Sequence, residues 1–315
     1  RRTIMTMRAL TEASRALVYL NAAAVDRAHA GDKAGQGLAD LLTPISKSWA
    51  TDIGVEVASL GVQVFGGMGY VEETGAAQFL RDARIAPIYE GTNGIQAMDL
   101  VGRKLGMDGG QHWKDLLGEV RATLSDLDED EELKLITPWL QDALDAAQTS
   151  SLWLAGANNP DDVAAGATPY LRLMGLTLGG WLLAKQAIAS RHHPDPQFAA
   201  AKRATARFFA EQLLPQVQAL SASAMRGAAL LYAIPEDGDG DGRIGEAGGR
   251  GEQDRRADIE RHAGRPRLRR VPAGQEHGQD QAEGRHKLAQ HQAKAAARVG
   301  CHLRDGQAEH GVHAG

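Results

Sequence analysis

One short segment of the sequence combines a carboxylate with neighbours that could direct it at a ligand. Glu90 follows the bulky pair Ile88 and Tyr89. A carboxylate beside apolar groups is poorly solvated, which makes it a stronger base for removing a proton near neutral pH. Gly91 and Thr92 can then open a helix whose first turn favours negative charge or phosphate oxygens. The residues alone also fit a plainer interpretation, in which Glu90 only caps a helix or interacts with its dipole.

An earlier segment offers main chain that a ligand could contact. Gly66 and Gly67 lack side chains and follow a predicted helix, so a ligand could approach the backbone closely there. Paired glycines after a helix are also a common C-terminal cap that binds nothing. Both interpretations stay open on the residues alone.

The elements that must position these segments are predicted to be helices. Within residues 1–30, apolar residues recur every three or four positions, which is typical of an amphipathic helix. The glycine-rich stretch 31–37 predicts a loop. A second helix is predicted to begin near Thr43, with Pro44 in its first position, and to end at Gly66.

Helices are also predicted for the rest of the chain up to residue 235. A short one is expected over residues 74–85, because Pro87 restricts the residue before it and ends the helix. Another follows the turn after Glu90, and two long helices are expected over residues 161–191 and 195–232. No stretch has convincing strand alternation, so the predicted fold class is all-α, a helical bundle.

The composition changes abruptly after Tyr232, beyond which the sequence contains no Phe, Trp, Tyr or Met. Such a segment buries too little apolar surface to offset its ordering entropy, so residues 236–315 are predicted to form a disordered tail. The abruptness of the change also fits translation in a wrong reading frame.

No metal site is predicted in this tail. Its aspartate–glycine run from Asp237 resembles the start of a calcium loop, but the twelfth position, where a bidentate glutamate is needed, is Gly248. Seven of the eleven histidines lie in the tail at irregular spacing, and Cys301 is the chain's one cysteine. A structural zinc site needs about four ligands at recognisable spacing, which this pattern lacks.

The bulk composition excludes several classes of protein. The 315 residues carry a formal net charge of −5 and a pI near 6.1, which argues against a general nucleic-acid binder. A single cysteine excludes an intramolecular disulfide framework and fits a reducing compartment. The most apolar run, residues 173–184, is shorter than the roughly 20 residues that span a bilayer, so we predict a cytoplasmic protein without a membrane span. The chain begins at Arg1 rather than Met, which predicts an N-terminal truncation.

Two motifs give the sequence a specific family resemblance. Gln63 begins the pattern Q-x-x-G-G-x-G-Y, and Arg81 begins the pattern R-D-x-x-x-x-x-I-Y-E-G-T, which ends at Thr92. In this order and at this separation, the two motifs resemble the signature of the acyl-CoA dehydrogenase family. The resemblance covers residues 1–235 and is closest to the branch with a C-terminal helical extension, which includes 3-methylmercaptopropionyl-CoA dehydrogenases.

The resemblance implies a division of the chain into three segments. Residues 1–106 would form the family's C-terminal helical domain, and residues 107–235 would form the helical extension. Residues 236–315 would be the tail. The family's N-terminal helical domain and middle β-domain, which supply much of the substrate cleft and flavin pocket, have no counterpart in this sequence.

The resemblance also implies a reaction and its base. Glu90 matches the residue that removes the α-proton of an acyl-CoA thioester, while FAD takes the β-hydrogen as hydride to leave a trans-2-enoyl-CoA. Gly91 matches the position beside the substrate. An electron-transfer flavoprotein would reoxidise the flavin. A homo-dimer or tetramer is implied as well.

The cofactor site implied by the resemblance draws on two stretches. Thr92, Asn93 and Gly94 match the part that touches the diphosphate region of FAD, although many relatives carry Gln in place of Gly94. A second stretch matches the part that reaches the FAD of a neighbouring subunit, and it consists of Gln63, Val64, Phe65, Gly66 and Gly67. The cofactor site would then be shared across a dimer interface.

Two other functions stay open at the level of sequence. The bundle could be a non-catalytic helical module that serves only in oligomerisation or another protein interaction. The protein could also be an acyl-CoA oxidase, which hands electrons to oxygen. Arg81 and Asp82 are interpreted as structural, in a local ion pair or cap.

Overall fold

The computed structural model describes residues 1–234, and within them all regular structure is helical. The prediction of an all-α fold is confirmed for these residues. The predicted tail, with its histidines and its aspartate–glycine run, lies outside the described residues. The α-helices are α1 (Arg2–His29), α2 (Lys33–Val64), α3 (Gly67–Tyr70), α4 (Ala76–Ala83), α5 (Asn93–Asp99), α6 (Gln111–Asp128), α7 (Thr137–Gly156), α8 (Pro160–Ala189), α9 (Pro196–Gln212) and α10 (Gln216–Ala224).

The first two helices pack against each other along their length and form one side of the core. On α1 the buried residues Leu10, Ala13 and Leu17 recur at helical spacing, as the amphipathic pattern predicts. On α2 the fully buried Ile45 and Trp49 face the same core. Each such side chain removed from water contributes on the order of 2 kcal/mol to folding. Helix α2 is therefore held firmly in the core, and it can fix the position of segments that pack against it.

The predicted start of the second helix is wrong, because the helix begins earlier in the sequence. The helix begins at Lys33 rather than Thr43, because the Asp32 side chain accepts a hydrogen bond from the Ala34 amide at 2.9 Å and caps it. Pro44 lies inside the helix. Gly37, which favoured a loop, is buried, and a Cβ there would lie 2.2 Å from the His112 ring. Glycine at position 37 therefore allows His112 to pack closely against the helix, and the chain does not turn there.

The second half of the described chain packs around α8. This helix is buried on most sides, with Tyr170, Met174 and Trp181 among its inaccessible residues. It contacts α1 and α2 as well as α6, α7, α9 and α10. The described residues before and after position 106 therefore share one core, and the division of the chain into two domains there stays a prediction.

The long helix predicted over residues 195–232 is wrong, since the structure breaks it into α9 and α10. Pro215 lacks an amide hydrogen and restricts the residue before it, so the helix cannot continue through this point. The start of α9 follows the sequence, because Asp195 accepts hydrogen bonds from the amides of Gln197 and Phe198.

Two kinds of feature are absent from the described residues. No helix there is long and apolar enough to cross a membrane. Residues 1–234 also hold no group of three or more His, Cys, Asp or Glu side chains that could bind a metal ion.

Candidate functional site

The turn that carries Glu90 has an unusual backbone. Glu90 has a φ of 54° and the next residue, Gly91, has a φ of 82°. Glycine adopts such angles freely, but a glutamate in this region costs on the order of 1–3 kcal/mol. A strained residue persists only where its surroundings hold it, and such residues cluster at functional sites.

Local hydrogen bonds close this turn onto the start of α5. The Asn93 amide donates to the Pro87 carbonyl oxygen at 3.0 Å. Thr92 caps the helix, because its hydroxyl oxygen accepts from the Ile95 amide at 3.3 Å. The prediction that Thr92 opens a helix is confirmed. Glu90 lies outside the cap, so the capping role belongs to Thr92.

The side chain of Asn93 ties the turn to α2. Its Nδ2 donates to the Asp52 carboxylate at 2.7 Å and to the Ser48 carbonyl oxygen at 3.0 Å. Its Oδ1 accepts from Lys47 Nζ at 2.9 Å. Lys47 Nζ also donates to the Gly91 carbonyl oxygen at 2.8 Å. The sequence reasoning missed Lys47 and Asp52, because charged residues on a helix give no signal of a partner about 40 residues away.

The carboxylate itself is open to solvent in this chain. Glu90 is exposed, and its apolar neighbours Ile88 and Tyr89 are each half exposed. The expectation that adjacent apolar side chains desolvate Glu90 is therefore wrong for the described residues taken alone. Any desolvation of this carboxylate has to come from a ligand or from other protein.

The glycine segment forms a separate part of the surface. All residues from Gln63 to Gly67 are exposed, and Gly66 has a φ of 63° and a ψ of −145°, which only glycine adopts without strain. Gln63 lies eleven residues beyond Asp52 on α2, about 17 Å further along the helix axis. The structure therefore keeps the two predicted site segments of one chain apart.

Large apolar side chains are concentrated in the sequence that contains these two segments. Ten of the 21 exposed large apolar residues in the described chain lie within residues 64–98, which we call the exposed apolar segment. They are Val64, Phe65, Met68, Tyr70, Phe79, Ile85, Ile88, Tyr89, Ile95 and Met98. Such a density of exposed apolar groups marks a surface that binds a ligand or other protein.

Two further features contribute no chemistry. Arg81 pairs with Glu72 through two hydrogen bonds of 2.9 and 2.7 Å, which agrees with its predicted structural role but not with Asp82 as its partner. A wide, open groove beside Trp139 on α7 contains none of the predicted site residues.

Family models account for most of the described chain. A model described as "Acyl-CoA dehydrogenase, C-terminal domain" matches residues 1–105. A second, described as "Acetyl-CoA dehydrogenase C-terminal like", matches residues 116–235. The chain belongs to the acyl-CoA dehydrogenase family. Both sequence motifs, which begin at Gln63 and Arg81, lie within the first of these matches.

The chain is also similar in sequence to individual proteins of this family. It is 41% identical over 230 residues to the 3-methylmercaptopropionyl-CoA dehydrogenase of Ruegeria pomeroyi, and the match covers 70% of this chain and 39% of that protein. It is 30% identical over 233 residues to a butyryl-CoA dehydrogenase of Syntrophomonas wolfei, covering 69% and 38%. The chain thus spans about two fifths of the length of these relatives.

Two solved structures resemble this chain. ACDH-11 of Caenorhabditis elegans in complex with C11-CoA matches with a TM-score of 0.56 and 27% identity, covering 67% of this chain and 36% of that one. An acyl-CoA dehydrogenase of Bacillus anthracis complexed with FAD has a TM-score of 0.55 and 18% identity, covering 71% and 41%. The second likeness is evidence of the fold alone.

Proposed function

We propose that the protein to which this chain belongs is an acyl-CoA dehydrogenase with Glu90 as its catalytic base. The observation that carries the proposal is the strained, anchored turn of Glu90 within the exposed apolar segment. The turn would supply a carboxylate in a fixed position, and the exposed apolar segment would supply an apolar surface for the substrate. The family resemblance and the names of the relatives support the same reaction.

The chain's own residues have definite tasks in this reaction. The Glu90 carboxylate would take the α-proton of the acyl-CoA thioester, and Gly91 would lie beside the substrate. A bound FAD would supply the acceptor for the β-hydrogen, which leaves as hydride. Since Glu90 is exposed here, bound substrate and neighbouring protein would exclude water from it and raise its basicity.

The residues assigned to FAD offer space for it. A Cβ built on Gly66 or Gly67 meets nothing within 4 Å, and one on Gly94 meets only the Thr92 hydroxyl at 3.9 Å. A ligand could therefore contact the main chain at both stretches. The side-chain amide of Asn93 is engaged by α2 and its backbone N–H by the Pro87 carbonyl oxygen, so we expect Asn93 to hold Thr92 and Gly94 in place beside the cofactor.

The separation of the two stretches favours a site made by two subunits. Thr92 to Gly94 would hold the FAD of their own subunit, and Gln63 to Gly67 would reach the FAD of a partner in a homo-dimer or tetramer. The distance of about 17 Å between their supports on α2 is consistent with this arrangement. We further propose electron-transfer flavoprotein as the electron acceptor and the cytoplasm as the compartment.

A second candidate function is a non-catalytic oligomerisation module. The exposed apolar segment favours it equally, because an interface between subunits would also bury these side chains. The strained turn at Glu90 does not follow from it, since an interface requires no fixed carboxylate.

The test is flavin reduction in the native full-length protein under anaerobic conditions. A panel of short acyl-CoAs, including methylthiopropanoyl-CoA, is added and the loss of visible flavin absorbance is followed. Glu90→Gln should retain FAD and slow reduction by about 10² to 10⁴-fold, the usual contribution of a general base. Glu73→Gln, an exposed glutamate in the same segment, is the matched control and should reduce at the wild-type rate.

Other outcomes separate the alternatives. Normal reduction in Glu90→Gln would show that Glu90 is not the base. Absence of bound FAD from the full-length protein would favour the oligomerisation module. Rapid oxygen consumption with the same acyl-CoA would identify an oxidase instead of a dehydrogenase.

A further inference from the structure

We infer that Lys47 is a positioning residue for the proposed base, and that it acts through a network with Asn93 and Asp52. The inference rests on the proposed role of Glu90. Lys47 touches neither substrate nor cofactor in this account. It fixes the main chain that follows Glu90 to the rigid helix α2.

The network has one consistent arrangement of donors and acceptors. Lysine has only donors and an ionised aspartate only acceptors. Asn93 lies between Lys47 Nζ, 2.9 Å from its Oδ1, and the Asp52 carboxylate, 2.7 Å from its Nδ2. Its amide can therefore satisfy both partners in only one orientation. The side chain of Asn93 therefore connects the turn to α2 in one fixed orientation.

The hydrogen bond from Lys47 to the main chain of Gly91 affects the position of Glu90. Lys47 Nζ holds the Gly91 carbonyl oxygen at 2.8 Å. Glycine can rotate its main chain more freely than any other residue, so without this bond the peptide after Gly91 could reorient. Rotation there would release Glu90 from its positive φ of 54° and move its carboxylate.

The support beneath the network does not move easily. The contacts to Asn93 come from adjacent turns of α2, through Lys47, Ser48, Thr51 and Asp52. Trp49, between them in sequence, is fully buried against the glycines of α8. The position of the turn is thus fixed relative to the core of the bundle. A displacement of a base by about 1 Å can lower a rate by about 10²-fold.

The test compares three variants of the native full-length holoenzyme. Lys47→Met removes the donors at similar length, Lys47→Arg keeps a cationic donor, and Lys33→Met changes an exposed lysine at the start of the same helix. Flavin reduction by substrate is measured per bound FAD, together with substrate affinity. Lys47→Met should slow reduction by about 10²-fold and change substrate affinity by less than about threefold. Lys47→Arg should restore most of the rate, and Lys33→Met should match wild type.

The outcomes distinguish this inference from the proposed function. If Lys47→Met reduces at the wild-type rate per flavin while Glu90→Gln does not reduce, the inference is wrong and the base assignment stands. If Glu90→Gln also reduces normally, both are wrong. If Lys47→Met does not fold, Asp52→Ala decides the matter, because it removes the other anchor of Asn93 and should slow reduction in the same direction. A wild-type rate in Asp52→Ala would then overturn the inference.

Discussion

At the scale of single residues, the two adjacent glycines of the Q-x-x-G-G-x-G-Y motif differ in what they require. Gly66 combines a φ of 63° with a ψ of −145°, a conformation that a Cβ makes costly. Gly67 begins α3 at an ordinary helical position, and a Cβ there meets only open space. Because a Cβ would meet nothing within 4 Å at either position, the same substitution at the two neighbours isolates the backbone strain at Gly66.

We predict that Gly66→Ala lowers the free energy of unfolding by about 1–3 kcal/mol. Gly67→Ala should be neutral or slightly stabilising, because alanine favours a helix over glycine by up to about 1 kcal/mol. Urea denaturation of both variants measures the difference directly. Equal stabilities would show that Gly66 does not hold its positive φ in solution.

The residues of the site were predicted from sequence to different extents. The motif identified Glu90 as the candidate base, and the residues after it predicted a helix that opens at Gly91 and Thr92. Neither approach could find Lys47 or Asp52, because their importance arises from contacts with Asn93 more than 40 residues away. The exposure of Glu90 was also missed, since sequence neighbours such as Ile88 do not determine what covers a side chain.

At the scale of elements, the buried faces were easier to predict than the helix ends. Apolar spacing on α1 and α2 identified residues that the structure buries, including Leu10, Ile45 and Trp49. The start of α2 was missed because Gly37 suggests a loop unless one knows that His112 packs against it. A tertiary contact overrode a local preference, which single-sequence reasoning cannot detect.

One ion pair joins elements from the two halves of the described chain. Lys202 on α9 donates to Glu12 on α1 at 2.8 Å and to Gln186 on α8 at 2.8 Å. Both charged side chains are mostly buried. Removing the lysine would leave Glu12 with only its partner Arg8 on the same helix.

We predict that Lys202→Met destabilises the protein by about 1–3 kcal/mol, because a partly buried charge loses a hydrogen-bond partner. Arg207→Met is the matched control, since Arg207 pairs with Glu211 one turn away on the exposed face of the same helix. Such solvent-exposed pairs contribute little to stability, because water and salt screen them. Thermal unfolding of the two variants gives the comparison, and equal losses would mean that the contact between α1 and α9 is not formed in solution.

At the scale of the whole molecule, the distribution of surface chemistry is uneven. The exposed apolar segment lies in residues 64–98, whereas ion pairs that connect distant elements lie elsewhere in the described chain, as in Lys202 with Glu12 and Arg203 with Asp130. Internal ion pairs thus stabilise this part of the protein by itself, while the site region presents apolar groups outward. This asymmetry agrees with the proposed function, in which substrate and other protein cover the site region.

Two ion pairs, Lys202 with Glu12 and Lys104 with Asp40, predict how stability depends on pH. Burial alone would raise the pKa of Glu12, but hydrogen bonds from Lys202 and Arg8 outweigh it and hold that pKa below its ordinary value. A hydrogen bond from Lys104 is the main cause of the lowered pKa of Asp40. The folded state therefore binds protons on these groups less readily than the unfolded state, and their stabilisation is complete only above the ordinary carboxyl range.

We predict that the free energy of unfolding is constant from neutral pH down to about pH 5 and then falls as the pH drops through the lowered pKa values of these carboxyls. The fall should be shallower in Lys202→Met, because without its lysine the pKa of Glu12 lies closer to that of the unfolded chain. Arg207→Met, which leaves Glu12 and Asp40 untouched, should follow the wild-type curve. Urea denaturation at a series of pH values tests this, and parallel curves for all three proteins would mean that the pair between α1 and α9 does not couple protonation to folding.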